Sequence, residues 1–533
     1  MTFRKQPVSL HTIALVIFAL TAVLPVGFML GQFVACLFEQ PAMVTKIFID
    51  ARQLVLLGRS ITIAFSATFV ALVIGVPVAI VLAARDLPFR KLFHFLVLIP
   101  VFIPPYVMAG AWMHLFSPMG SVNRTLAAML GPSAKLTVHS TAGCVWCLGV
   151  SFFPVVAIIV AAGLSKLDSN LRDIARLSTS RWGGFRHSTL PQIRRHLAAS
   201  VCLVLIFVFS QYGVPSLLGI NTYPVEIFAY FSAFYDDTAA VATSLPLIGM
   251  VVFLVILQQR IMRARDYVHV TASSEMHSAI RLAGTKPYAV AFLVVLFSIT
   301  VVLPFASVFL YAQGLGKVLS AARLSSDCIF TTSLLAFLAA AVSTLVAFPI
   351  GHYLAHRRGY LAEVIDIICW LPVAIPGTIV GLGMIKLAGR VPALQRADSF
   401  GVVLLIAYVG MFTAFSIRVF EAAHRRADPN IDEAAAIDCR RLYQRLWHID
   451  VPIHSGAIAV SATMVFVLVV GELNATVLLI PPGRSTLSVS IDNLLHYGAS
   501  STASELCLIE AGLVIMTITC GLFVWKATKR ISG

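Results

Sequence analysis

Charge is what this sequence has least of. Only 12% of its 533 residues are Asp, Glu, Lys or Arg, against roughly 25% in a soluble domain. With 59% hydrophobic residues, that excludes a water-soluble globular protein and points to an all-α polytopic membrane protein. Acid is scarcer than base, 24 residues against 39, for a net charge of +15. The base is not gathered on a face outside the membrane loops, which argues against nucleic acid as a partner. Cysteine is sparse, nine residues. The pair Cys144 and Cys147 has no second pair or histidine at zinc spacing, so it reads as small apolar filler in a helix and no metal site is expected. A nucleotide site is missing too. Gly314-Leu315-Gly316-Lys317-Val318 imitates a phosphate loop, but Tyr311 stands where the first glycine belongs and Val318 where Ser or Thr should follow the lysine. No catalytic cluster is found, so the chain does not read as an enzyme.

What is present is a series of long apolar runs. A window of about 19 residues gives twelve spans, near 11–35, 60–84, 92–116, 141–163, 197–219 and 240–258, then 287–311, 329–354, 362–387, 400–420, 455–480 and 506–526. The first follows Arg4 and Lys5 and outruns the 7–15 residues of a cleaved signal, so an uncleaved anchor is expected. If the N-terminus is placed inside on those two residues, the even loops collect most of the basic residues. The positive-inside rule then explains the excess charge and puts both termini in the cytoplasm. The expected division is a first six-helix half over 1–259 (core 57–258), a polar linker over 260–286, and a second half over 287–533 (core 326–527).

One polar segment occurs twice, about 260 residues apart, between apolar spans on the inner side. The first copy runs from Leu167-Asp168-Ser169-Asn170 through Asp173-Ile174-Ala175-Arg176 to Thr189-Leu190-Pro191. The second runs from Ala427-Asp428-Pro429-Asn430 through Glu433-Ala434-Ala435 to Asp450-Val451-Pro452. Such a repeat means two copies of a domain. In each copy an Asp stands where it would cap a short helix, and a second amphipathic piece follows, Trp182–His187 or Leu442–His448. Apolar Leu442, Leu446 and Trp447 among arginines suit a helix docked in a partner's groove. A helix lying flat on lipid would show the same pattern.

These loops resemble the E-A-A motif of binding-protein-dependent ABC importer permeases (MetI-like, type I), whose pattern is E-A-A, three residues, G, nine residues, I-x-L-P. The second copy keeps that spacing from Glu433 to Pro452, with Cys439 for Gly and Val451 for Leu. The first has Asp173 for Glu and Ile174 for Ala, lacks the Gly, and is one residue short. More narrowly, Pro104-Pro105-Tyr106-Val107-Met108-Ala109-Gly110-Ala111-Trp112, Ser210-Gln211-Tyr212-Gly213-Val214-Pro215 and Gly471-Glu472-Leu473-Asn474-Ala475-Thr476 are similar to stretches of the ferric-iron permease branch, with Asn474 where that branch has Pro. The resemblance implies two fused six-helix halves whose loops dock into a cytoplasmic ABC ATPase dimer. It implies a periplasmic solute-binding protein as the second partner, membrane lipid around the helices, and a bacterial inner-membrane location. This chain would bind no cofactor, with ATP and Mg held by the ATPase. The implied coupling residues are Asp173, Ala175, Arg176, Arg186 and Pro191, then Glu433, Ala434, Ala435, Arg440, Arg445, Trp447 and Pro452. The cargo implied is ferric iron; thiamine, phosphonate and polyamine permeases share much of the pattern. A twelve-helix secondary carrier is the alternative of another class, but Arg85-Asp86-Leu87-Pro88-Phe89-Arg90-Lys91 lacks the G-x-x-x-D-R/K loop common there.

Cargo in such an architecture passes near the interface of the halves. Prolines inside spans break helices, and in a membrane breaks persist where protein or water re-satisfies the backbone. Pro104, Pro105 and Pro376 therefore mark a mid-span kink in the third helix of each half. They are candidate pathway residues together with Tyr106, Gln211 and Glu472. An intramembrane carboxylate costs about 2.5–3.5 kcal/mol on insertion scales and faces a cavity or a partner. For Glu472 both contact with a cation and a hydrogen-bonded role at the helix break are open. His114, His352, Asp366 and Glu510 read as packed or interfacial groups.

Overall fold

A computed structural model describes residues 9–39, 41, 50–118, 120–131, 133, 135–165, 186, 189–263, 280, 282–357, 359–398, 401–427, 442–497 and 501–531. Among these, every regular element is helical. The first half contains α1 (Leu10–Ala35), α2 (Ala51–Ala83), α3 (Arg90–Phe102), α4 (Pro105–Leu115), α5 (Ser121–Leu130) and α6 (Thr141–Ser165). It continues through α7 (Leu190–Phe209), the short α8 (Gly213–Leu217), α9 (Tyr223–Ser232) and α10 (Asp237–Arg263). The second half repeats the plan with α11 (Ala283–Tyr311), α12 (Leu315–Leu324), α13 (Ser326–His356), α14 (Tyr360–Ala374) and α15 (Gly377–Arg390). Then come α16 (Val402–His424), α17 (Val451–Val470), the short α18 (Thr476–Leu479), α19 (Leu487–His496) and α20 (Ser501–Ile531).

Among the described residues, ten helices are long and apolar enough to cross a membrane. The two remaining expected spans are bent pairs: α3 with α4 turns through 90°, and α14 with α15 through 99°. This corrects the expected kink. Ile103 and Pro104 are both extended (ψ 127° and 135°), as are Ile375 and Pro376 (ψ 123° and 139°). A residue before proline avoids the helical region, so one helix ends and a new one starts at Pro105 or Gly377. At about 1.5 Å per residue, the 13 residues of α3 rise only about 20 Å.

Long helices pair through small residues, as expected where lipid supplies no hydrophobic drive. On α2, Ala64, Ala67, Ala71 and Gly75 are buried while Phe65, Phe69 and Val73 are exposed, so the bulky stripe faces lipid. α13 repeats this, with Ala336, Ala339, Ala340 and Ser343 inside and Phe330, Phe337 and Leu345 outside. Accordingly α2 packs on α6, and α13 on α16.

The first span of each half crosses to the other half. α1 lies against α13, α15 and α16, while α11 lies against α3 and α4. Across these contacts the Ser307 hydroxyl sits 3.2 Å from the Ala111 carbonyl, and His11 Nε2 lies 3.3 Å from His352 Nδ1. One buried cluster contains Ile63 and Val156 of the first half with Leu382, Tyr408 and Val514 of the second. The incoming end of the linker is also fastened. Asp86, in the loop after α2, accepts hydrogen bonds from the Leu282 and Ala283 amides (2.8 and 3.1 Å) and pairs with Lys286 (3.3 Å).

Candidate functional site

The breaks in the two halves meet along a seam. α4 packs on α8 and α15 on α18, while α8 meets α19 and α9 meets α15 across the halves. Pro104 rests on Gly471, where an added Cβ would lie 2.6 Å from the proline ring. A Cβ at Gly377 would lie 2.8 Å from Glu472 Oε1 and 2.9 Å from the Asn474 Cβ. Only glycine permits either approach. Asn474 Oδ1 accepts the Tyr212 amide at 3.1 Å, a direct link between the halves at the breaks. Pro104, Tyr106, Pro376 and Glu472 are buried, Pro105 and Gln211 half-buried, so all six candidate pathway residues lie at or beside the seam.

Glu472 is fully engaged. Its carboxylate accepts the Ala475 amide (3.0 Å to Oε1) and the Thr476 amide (3.0 Å to Oε2). The Thr476 hydroxyl lies 2.7 Å from Oε2 and 2.7 Å from the Tyr408 hydroxyl. The carboxylate therefore caps α18 at its N-terminus, satisfying donors that the helix itself leaves orphaned. With Glu472 only 5% exposed, this geometry gives it a structural part at the break.

At the opposite end lie the two polar loops. Asp173, Ala175, Arg176, Glu433, Ala434, Ala435 and Arg440 fall outside the described residues. Arg186, Pro191 and Pro452 are exposed. Leu442–Arg445 and Leu446–Asp450, which includes Trp447, are helical turns, and Arg445 pairs with Asp450 at 3.3 Å. Pro191 and Pro452 stand in the first turns of α7 and α17. Each of these 20-residue helices is about 30 Å long and ends at the seam, just before Gln211 or Glu472.

Sequence reasoning missed the ion-pair cluster on α16, the helix that leads into the second loop. Arg418 of α16 binds Asp366 of α14, reaches Glu421 at 2.7 Å, and lies 4.7 Å from the Trp370 ring centroid. Glu421 also holds Arg425 at 2.7 Å. Beside it, His424 and His454, which flank the loop, have ring centroids 4.1 Å apart, and His352 lies 5.1 Å from His424. Asn474 had left one signal, as a departure from proline. A cavity of about 210 Å³ between Phe330, Leu334, Leu405 and Ile480 is apolar and involves none of the candidate residues.

Comparison with known proteins decides the class. Residues 75–267 match the family described as "Binding-protein-dependent transport system inner membrane component". The chain is an ABC importer permease. Along its length the permease is similar to the Fe(3+)-transport system permease protein FbpB 2 of Haemophilus influenzae, 20% identical over 485 residues, 88% of this chain and 90% of that protein. It is 21% identical over 448 residues to the Ferric transport system permease protein FbpB of Actinobacillus pleuropneumoniae, covering 79% of this chain and 64% of that one. A putative 2-aminoethylphosphonate transport system permease protein, PhnV of Salmonella typhi, is 28% identical over 167 residues, 31% of this chain and 62% of that protein. The matched family segment begins inside α2 and takes in the Ile103–Pro104 break, the first polar loop and the interruption between α7 and α8 at Gln211.

Proposed function

We propose that this permease admits ferric iron, handed over on the outer side by a solute-binding protein, and that a pair of separate cytoplasmic ATPases docked on its two polar loops drives the cycle. The observation that carries the cargo is extent. The two ferric-iron permeases align along 79–88% of the chain, both halves included, whereas the phosphonate permease aligns with 31%. The orientation, with both termini inside, rests on the positive-inside distribution.

The geometry supports a lever. A docked ATPase pair that closes on ATP would displace the loops, and α7 and α17 would carry that displacement to the seam. There the contacts between Pro104 and Gly471, and between Tyr212 and Asn474, would open and re-form. Arg418 ties α14, in the broken third segment of the second half, to α16, which leads into the second loop, so those two helices would move together.

The test is uptake of radiolabelled iron(III) by cells lacking the permease and by the same cells complemented. Complementation should restore uptake. Restored phosphonate uptake with iron uptake unchanged would transfer the permease to the second reading, which the higher local identity of 28% favours.

A further inference from the structure

Two buried glutamates stand close to the seam, and their hydrogen bonding differs. Glu472 has donors on both oxygens. Glu510 of α20 is 0% exposed; its Oε1 accepts the Tyr106 hydroxyl at 2.6 Å, and its Oε2 is buried with no hydrogen-bond partner. The bond joins the halves, since Tyr106 lies on α4. Tyr106 also backs onto the first-half break, 3.3 Å from where a Gly213 Cβ would stand. Glu510 is nine residues into α20, about 13 Å from the end opposite the polar loops.

A buried carboxylate oxygen left without a donor costs about 1–3 kcal/mol. Such a group in a membrane interior is available to a further donor or a cation. The surroundings identify its chemistry. Asp492 of α19, 4% exposed, also has an oxygen without a hydrogen bond, Oδ1, lying 3.5 Å from His496 Nδ1. The His496 side chain is 39% exposed and its Nε2 is 3.2 Å from the Ser216 hydroxyl of the first half. The helix α19 packs on both α4 and α20, so Asp492 and His496 lie on an element that touches both partners of the Tyr106–Glu510 pair. Phenol and carboxylate oxygens are hard donors, suited to a hard cation of high charge. No group of three or more His, Cys, Asp or Glu among the described residues is arranged to hold a metal.

We propose that Tyr106 and Glu510 form a transit site for a ferric ion, closed by their mutual hydrogen bond while the seam is shut and open to cargo when the halves part. This inference rests on the ferric-iron reading above. When the ion passes, it takes the phenolate oxygen and the carboxylate, and the phenolic proton leaves to water. As the seam closes, the proton returns, the Tyr106–Glu510 bond re-forms and the ion is displaced onward. No electron is transferred.

The test uses the full-length permease purified with its ATPase pair in lipid nanodiscs, cycling ATP and titrated with ferric nitrilotriacetate. A ferric–phenolate bond gives a visible charge-transfer absorbance. Wild type should show it, Tyr106→Phe should not, and Glu510→Gln should bind roughly tenfold more weakly, as for one lost charge-assisted contact. Glu510→Asp should recover part of the affinity. Co-purification of the ATPases reports folding, and if Glu510→Gln fails to fold, Tyr106→Phe carries the test because it removes one oxygen. An absorbance that survives Tyr106→Phe, or wild-type iron uptake in both folded variants, overturns the site. If wild-type permease itself supports no iron uptake in cells, it is the cargo reading that falls.

Discussion

Replacing Glu472 by Gln tests whether that carboxylate serves the helix break or the cargo. The carboxylate faces three donors, the amides of Ala475 and Thr476 and the Thr476 hydroxyl. Gln offers one oxygen and an NH2: with the oxygen in the Oε1 position the Thr476 amide faces a donor, and with it in the Oε2 position the Ala475 amide keeps only its longer 3.2 Å bond and stands against the NH2. One charge-assisted hydrogen bond is worth about 1.5–3 kcal/mol, and one orphaned buried N–H costs about 1–3. Local relaxation and non-additivity bring the expected loss to about 3 kcal/mol. Scaled by the unfolding entropy of a chain this long, that is a fall in Tm of about 3 °C. The assay pairs thermal unfolding in nanodiscs with uptake kinetics on the same preparation. Glu472→Gln should unfold earlier, and its maximal uptake should follow the folded fraction with KM unchanged. A variant that unfolds at the wild-type temperature but no longer takes up cargo would refute the reasoning and return the carboxylate to the pathway.

Deletion of Leu442–His448 should abolish association with the ATPases while the protein still inserts; a pull-down that retains them refutes docking there. Arg418→Ala strands Asp366 and frees Glu421. Because Arg418 is 25% exposed, the loss should be about 2 kcal/mol, below the range for a fully buried pair, with ATP hydrolysis less tightly coupled to uptake. Burial pushes the Asp492 carboxyl up from 3.8 to about 6, against the opposing pull of His496. The folded state then keeps a proton that the unfolded state has released, so stability should fall as pH rises from 3.8 to about 6, by at most about 3 kcal/mol. Asp492→Asn should flatten that slope in unfolding scans. The Leu282 amide, then that of Ala283, and Lys286 hold the Asp86 carboxyl below its ordinary value. Its tether is therefore present above the ordinary carboxylate pKa and lost as pH falls through the lowered one. Asp86→Asn should speed hydrogen exchange at the Leu282 and Ala283 amides at neutral pH.

Much of the architecture was legible because it is written in local properties. The third segment of each half shows both the reach and the limit of that reading. Pro104 and Pro376 located the breaks to the residue, since a missing N–H and a restricted neighbour act within a few residues. The right-angle turn was not legible, because the direction of the second helix is set by what it packs on: α8 for α4 and α18 for α15. Glu472 and Glu510 make the same point for the site. Both are glutamates in apolar surroundings, and only the donors around them separate a capped carboxylate from one with a vacant oxygen.

By itself the sequence determined that the chain crosses a membrane repeatedly, that one polar segment recurs about 260 residues on, and where prolines interrupt its third spans. Hydropathy, charge placement and proline chemistry are properties of short segments, and they survive any tertiary arrangement. Only the tertiary structure decided that the first span of each half serves the other, that Arg418 ties α16 to α14, and that Tyr106 meets Glu510 across 404 residues of chain. Such contacts depend on which helix faces which, and packing across the whole bundle settles that rather than any run of neighbouring residues.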